Sequence, residues 1–297
     1  MMKTGIGFAS MALVLLLLPS IVAAAFFETQ DGAKIYYEDH GKGDVILLVH
    51  GWMCSSKFWK ANVPELAKEF RVVTIDKRGH GYSSKTMRGH TVPQYARDVR
   101  ALIEHLNLKD VTLVGWSLGG PVVLSYWQQY ENDHRLKGFG LIDSNMAPFH
   151  PGEWNSHYLK TTQMEGAAAL NASYIADRVK YVTTFTHNMF KGAKAPEADV
   201  AWVTTELLKT PPWIALAIYS DFTLGDYTGV LPKVSVPAIV YGADSNVFKK
   251  GLEQARWVAA QLPKGKFVPF EDGGHMLFYE SPGKFNNSLA EFVRGLK

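Results

Sequence analysis

From Phe26 onward the hydrophobic positions fall into short blocks of two alternating kinds. FFETQDGAKIYYEDHG alternates like two short strands joined at Asp31-Gly32, a pair suited to a hairpin turn. DVILLVHG is a continuous apolar run closed by Gly51, the pattern of a strand buried on both faces. The same pattern returns at Arg71–Ile75 and in DVTLVG, LKGFGLID, VPAIVYGAD and GKFVPFED. Between these runs the period changes. In TVPQYARDVRALIEHLNL, Tyr95, Val99, Leu102, Ile103 and Leu106 recur at helical spacing, with Thr91 as N-cap and Pro93 in the first turn. SLGGPVVLSYWQQY, GLEQARWVAAQL and PGKFNNSLAEFVRGL read as further helices, the last begun by Pro282. Short apolar strands alternating with helices predict an α/β fold, a mostly parallel central sheet with helices on both faces. Binding sites in such sheets form at the carboxyl ends of the strands.

Two stretches break this rhythm. Residues 147–230 hold no βαβ unit and are rich in aromatic residues, among them Trp154, Tyr181, Phe185, Trp202, Tyr219 and Phe222. They predict a helical cap inserted between two parts of one core, 26–146 and 231–297. Most of the aromatics are expected to form the cap's own core and a few to line a pocket. Residues 1–25 carry Lys3, a long uncharged run and Ala23-Ala24-Ala25, which reads as a secretory signal with an A-x-A cleavage site. The expectation is an exported protein, periplasmic or secreted. An uncleaved N-terminal helix holding the chain to a membrane is the alternative, since the run is long enough to span a bilayer.

Composition narrows the picture. The chain has 297 residues, 47% hydrophobic and 20% charged, ample for a large core. Basic and acidic residues nearly balance, 31 against 28, and no long basic run argues for nucleic acid. Cys54 is the single cysteine, so stability comes from packing and not from an internal disulfide. No cluster of His, Cys, Asp and Glu has metal-ligand spacing, and no Rossmann or Walker loop is present, so neither a metal nor a cofactor is expected. Asn171 and Asn286 sit in glycosylation-type triplets, which carry meaning only in a eukaryotic source.

The candidate chemistry starts at LVGWSLGGPV, Leu113 to Val122. A buried strand ends at Gly115 and a helix begins just after Ser117, the setting of a G-x-S-x-G nucleophile elbow. A sharp strand-to-helix turn strains the residue at its tip and leaves no room for side chains two positions to either side. A serine hydroxyl needs a base and an acid that orients the base, and on this architecture they follow in the order serine, acid, histidine. Five histidines follow Ser117: His134, His150, His157, His187 and His275. Only His275, in FEDGGHML, comes just after a predicted strand and behind a flexible glycine pair, so it is the expected base. For the acid, Asp244 after the fifth buried strand is favoured and Asp143 after the fourth is the alternative. Asp272 stands so close to His275 that it suits a turn. Two backbone amides should face the developing oxyanion, those of Leu118 and of Trp52. His50 is expected to brace the loop that carries Trp52. Cys54 is expected to be a packed side chain and not a nucleophile.

HGW, DKRGHGYSS, GWSLGG, YGAD and DGGHM together, in this order, resemble the α/β-hydrolase superfamily over everything after the signal segment. Within it the chain most resembles the capped carboxylesterases and the cofactor-free haloperoxidase or perhydrolase-like esterases. The resemblance implies that Asp76 and Arg78 brace a turn. The constellation of serine, acid and histidine in order predicts a serine hydrolase acting on carboxylic esters, and the aromatic-rich cap predicts an apolar acyl or alcohol pocket, hence small or medium esters or lactones, acyl-homoserine lactones among them. The alternatives are a perhydrolase or haloperoxidase-like enzyme on the same triad, or a ligand-binding member of the fold. Perhydrolase-like members usually have proline where this chain has Met53, which favours hydrolysis. Ser117 argues against the haloalkane dehalogenases and epoxide hydrolases, which have aspartate there, and Trp116 departs from the asparagine of the ring-cleavage hydrolases.

Overall fold

Eight strands hydrogen-bond into one sheet: β1 (Ala23–Glu28), β2 (Lys34–His40), β3 (Val45–Val49), β4 (Arg71–Ile75), β5 (Val111–Trp116), β6 (Leu136–Ile142), β7 (Ala238–Gly242) and β8 (Gly265–Pro269). Their order is β1-β2-β4-β3-β5-β6-β7-β8. The chain is seen in a computed structural model that describes residues 23–131, 134–155 and 163–296. The hairpin β1–β2 is antiparallel, turns through Gly32 at φ +82°, and adds to β4 antiparallel. From β4 across to β8 every pairing is parallel. The segment expected to direct export lies outside the described residues except for Ala23, Ala24 and Ala25, which open β1 opposite Asp39, Glu38 and Tyr37. Among the described residues no helix is long and apolar enough to cross a membrane.

The unbroken apolar runs become the centre of the sheet. Every residue of β3, β5 and β7 is buried. Burying one Val or Leu side chain of this kind is worth about 1.5–3 kcal/mol, so the central strands anchor the fold. The edge strand β8 is more exposed. Helices form where the period lengthens: α1 (Val63–Leu66), α2 (Val92–His105) and α3 (Gly119–Tyr130). Thr91 caps α2 by accepting from the Gln94 N–H at 3.3 Å. After β6 the chain forms α4 (Gln163–Ala176), α5 (Arg178–Met189), α6 (Glu197–Leu208) and α7 (Pro212–Leu224), then returns to the sheet with α8 (Gly251–Gln261), α9 (Leu277–Glu280) and α10 (Pro282–Arg294). The helix α3 packs on α2 and on β5, α8 packs on β7 and β8, and α1 packs on α10 and β4.

The helices between β6 and β7 lie over the carboxyl ends of the strands, tied to the loop after β3. Trp52 Nε1 donates to the Ala215 carbonyl at 2.9 Å and Ser55 Oγ to Glu206 at 2.9 Å. Farther along, the Val92 N–H donates to Asp221 at 2.7 Å. Within this layer Tyr174, Val182, Val203, Leu207 and Ile218 are fully buried.

Candidate active site

The turn after β5 has the geometry its glycines foretell. Ser117 has φ +53°, a left-handed backbone that costs an L-residue about 1–3 kcal/mol and persists only where the surroundings enforce it. The enforcement is steric. A Cβ at Gly115 would lie 2.2 Å from the Gly119 carbonyl oxygen, and one at Gly119 would lie 2.4 Å from that of Val49. The Ser117 N–H donates to the Ile142 carbonyl at 2.9 Å, and its own carbonyl accepts from Gly120 at 2.9 Å. The tip is thereby fixed between β6 and the start of α3.

His275 lies almost wholly buried in the loop between β8 and α9, and its Nδ1 is 2.6 Å from Asp143 Oδ2. Asp143 follows β6 directly, has φ +38°, and its N–H donates to the Tyr241 carbonyl at 2.8 Å. Burial pushes its carboxyl up, and the bond to His275 opposes that rise. The favoured acid, Asp244, is therefore corrected: Asp143 holds the imidazole. Asp244 Oδ1 accepts the Leu252 N–H at 3.0 Å, in the first turn of α8. The physical reason is position along the strand. Asp143 is the first residue beyond β6, whereas Gly242-Ala243 carry the chain of β7 past the site before Asp244 is reached. Asp272 is exposed in the turn before His275, as a turn-former should be.

Several contacts that lock the histidine loop were not legible in the sequence. Trp116 Nε1 donates to the His275 carbonyl at 2.9 Å, and the two rings stand 5.3 Å apart. The Phe248 ring stands edge-on to the imidazole at 5.2 Å. Glu280 accepts the Gly274 N–H and the Lys191 N–H, each at 2.8 Å, joining this loop to the end of α5. A Glu five residues after a histidine carries no motif, so no sequence signal could have found it. Among the described residues Ser117 Oγ makes no hydrogen bond.

Ser117, Leu118 and Trp52 share the floor of a cavity of about 210 Å³. Its walls are Tyr181 and Phe185 from α5 and Tyr219 and Phe222 from α7. Asn188 and Asn246 are polar lining residues. The Trp52 ring packs among Phe185 at 5.6 Å, Tyr219 at 5.0 Å and Tyr174 at 6.1 Å. The cap aromatics thus divide: Tyr174 is core, Tyr181 and Phe185 line the cavity, and Trp213 is exposed.

The neighbouring loops act as supports. The Lys77 N–H donates to His50 Nε2 at 3.0 Å, and His50 Nδ1 lies 2.9 Å from the Gly51 carbonyl. Asp76 accepts the Ser56 N–H at 2.6 Å and the Tyr82 N–H at 2.7 Å, and burial pushes its carboxyl up to about 6. Arg78 pairs with Asp31 and Asp98, and its guanidinium holds the Asp31 carboxyl well below the usual range. Cys54 is buried, its Sγ donates to the Trp52 carbonyl at 3.2 Å, and burial pushes the thiol up, so a thiolate is disfavoured.

A strained serine at a strand–helix elbow and an Asp–His pair at the carboxyl end of the same sheet are features of the α/β-hydrolase class, and the comparisons agree. Residues 44–187 match the family model described as alpha/beta hydrolase fold. A bifunctional esterase/perhydrolase of Acinetobacter calcoaceticus is 30% identical over 91% of this chain and 99% of its own. A non-heme haloperoxidase of Rhodococcus erythropolis is 29% identical over 90% of this chain and 98% of its own. Among solved structures, a bromoperoxidase from Bacillus anthracis superposes with a TM-score of 0.83 at 26% identity, covering 92% of this chain and all of that one. The chain belongs to the α/β-hydrolase fold family.

Proposed function

We propose that the protein is an exported serine hydrolase that cleaves small or medium carboxylic esters or lactones through an acyl-enzyme. Ser117 Oγ attacks the acyl carbon while His275 Nε2 takes its proton. The proton then passes to the leaving alcohol, and water repeats both steps to release the acid. Asp143 accepts from Nδ1–H, which fixes the tautomer and stabilises the imidazolium. The N–H groups of Trp52 and Leu118 donate to the oxyanion. The observation that carries this reading is the 2.6 Å Asp143–His275 bond in the molecule whose elbow strains Ser117 to φ +53°. The aromatic walls support an apolar acyl or alcohol part, and the cavity of about 210 Å³ supports substrates of modest size. The test is Ser117→Ala assayed on short p-nitrophenyl esters. Turnover should fall by about 10⁴-fold or more, and a variant with wild-type turnover would end the assignment.

The esterase/perhydrolase relative keeps peracid formation as the second reading. One observation favours hydrolysis. Met53 has φ +59°, whereas proline is confined near −65°, so the loop is built differently from one that carries proline there. Export rests on the sequence of residues 1–25. Cleavage after Ala25 leaves Phe26–Glu28 to pair with β2. Mass spectrometry of the mature protein should find Phe26 at its N-terminus, and an intact Met1 on exported protein would refute cleavage.

A further inference from the structure

Beneath the loop after β3 lies a charge that the proposed chemistry does not use. Lys77 is 1% exposed, and its Nζ donates to the His50 carbonyl at 2.5 Å and to the Gly51 carbonyl at 2.9 Å. Among the described residues no carboxylate forms an ion pair with it. Burial pulls the ammonium down to about 7, the mark of a group that is costly to keep charged there. A methionine could fill the same slot without that cost, so packing alone does not account for the lysine.

The bonds it makes are informative. The Gly51 carbonyl belongs to the peptide whose N–H is that of Trp52. That oxygen also receives the Cys54 N–H at 3.3 Å and the imidazole of His50. Because His50 Nε2 accepts from the Lys77 N–H, its proton sits on Nδ1 and points to Gly51 O. Burial keeps this imidazole neutral. The carbonyl end of one peptide is therefore crowded with donors, one of them an ammonium, while its N–H has no acceptor among the described residues. The same peptide abuts the nucleophile: a Cβ on Gly51 would be 3.1 Å from Ser117 Cβ. Donors on a carbonyl polarise the whole amide and strengthen its N–H as a donor in turn.

We propose that Lys77 is a positioning residue of the oxyanion hole, fixing and polarising the Gly51–Trp52 peptide so that the Trp52 N–H binds the tetrahedral oxyanion more strongly than the ground-state carbonyl. The inference rests on the reading of Trp52 as an oxyanion donor given above. An interaction that strengthens as the oxygen gains charge appears in kcat and leaves KM nearly unchanged.

The experiment compares wild type with Lys77→Met, which keeps the stem and removes the charge. The readouts are kcat and KM on a short p-nitrophenyl ester and the affinity of a trifluoromethyl ketone that forms a hemiketal with the serine. The expected result is a fall in kcat of about 10–100-fold, less than the ~10²–10³-fold loss of a whole oxyanion donor, with KM within about threefold. The ketone should weaken by a similar factor. A cooperatively melting Lys77→Met that keeps wild-type kcat and ketone affinity overturns the proposal, and so does equal weakening of ketone and substrate. Should Lys77→Met not fold, Lys77→Gln is measured by the same readouts, and the same outcomes support or overturn the proposal. Ser117→Ala runs alongside: if it still turns over, the serine mechanism has failed. If it is dead while the Lys77 variant is unimpaired, only the role of Lys77 has failed.

Discussion

The ends of β6 and β7 look alike in the sequence and serve different purposes in the folded chain. Both are parallel strands buried toward their carboxyl ends and followed within two residues by an aspartate, and they are neighbours in register, with Ile142 opposite Tyr241. Asp143 is wholly buried, turns through φ +38° and bonds His275. Asp244 is half-buried and satisfies an N–H in the first turn of α8. The Asp143 N–H donates to the Tyr241 carbonyl, the position that the next residue of a continuing strand would occupy, and at this carboxyl end of β6 its side chain meets His275. The chain of β7 runs one residue farther, to Gly242, before Asp244 meets the start of α8. The difference teaches that the chemical role of a strand-end acid follows from how far it lies beyond the last paired residues: Asp143 is one step past the Ile142–Tyr241 pair and Asp244 three.

The sharpest way to break this comparison is to neutralise each acid in turn. Asp143→Asn should leave the backbone in place, impose the wrong imidazole tautomer and lower kcat by about 10³–10⁴-fold, read in steady-state ester hydrolysis. Activity retained there and lost at Asp244 would reverse the assignment. The smaller effect belongs to Asp244→Ala. It should cost about 1 kcal/mol through loss of the bond to the Leu252 N–H, seen as a melting temperature lower by about 2–4 °C. Its kcat should stay within about threefold of wild type. A larger kinetic loss would mean that Asp244 reaches the histidine during turnover.

Legibility followed distance along the chain. The hairpin at Asp31-Gly32, the cap at Thr91 and the elbow at Ser117 depend on neighbours a few residues away, and composition there is constrained by local sterics. His275 was legible for a related reason, since it alone among the later histidines follows a strand behind paired glycines. The clamp on that histidine was not. Trp116 and Phe248 reach it from other parts of the chain, and Glu280, though only five residues on, acts by joining its loop to Lys191. Lys77 was hidden inside DKRGHG, where it reads as one more turn residue until its Nζ is seen on the carbonyls of His50 and Gly51.

By itself the sequence determined the strands, the helices, the strained serine and the histidine, because hydrophobic period and glycine placement act through local geometry. Only the tertiary structure decided which aspartate meets His275, which aromatic rings wall the cavity and which carbonyls the buried ammonium holds. Those outcomes depend on contacts between residues far apart in the chain, 132 positions for Asp143 with His275 and 27 for Lys77 with His50, and on how far each strand runs before it turns.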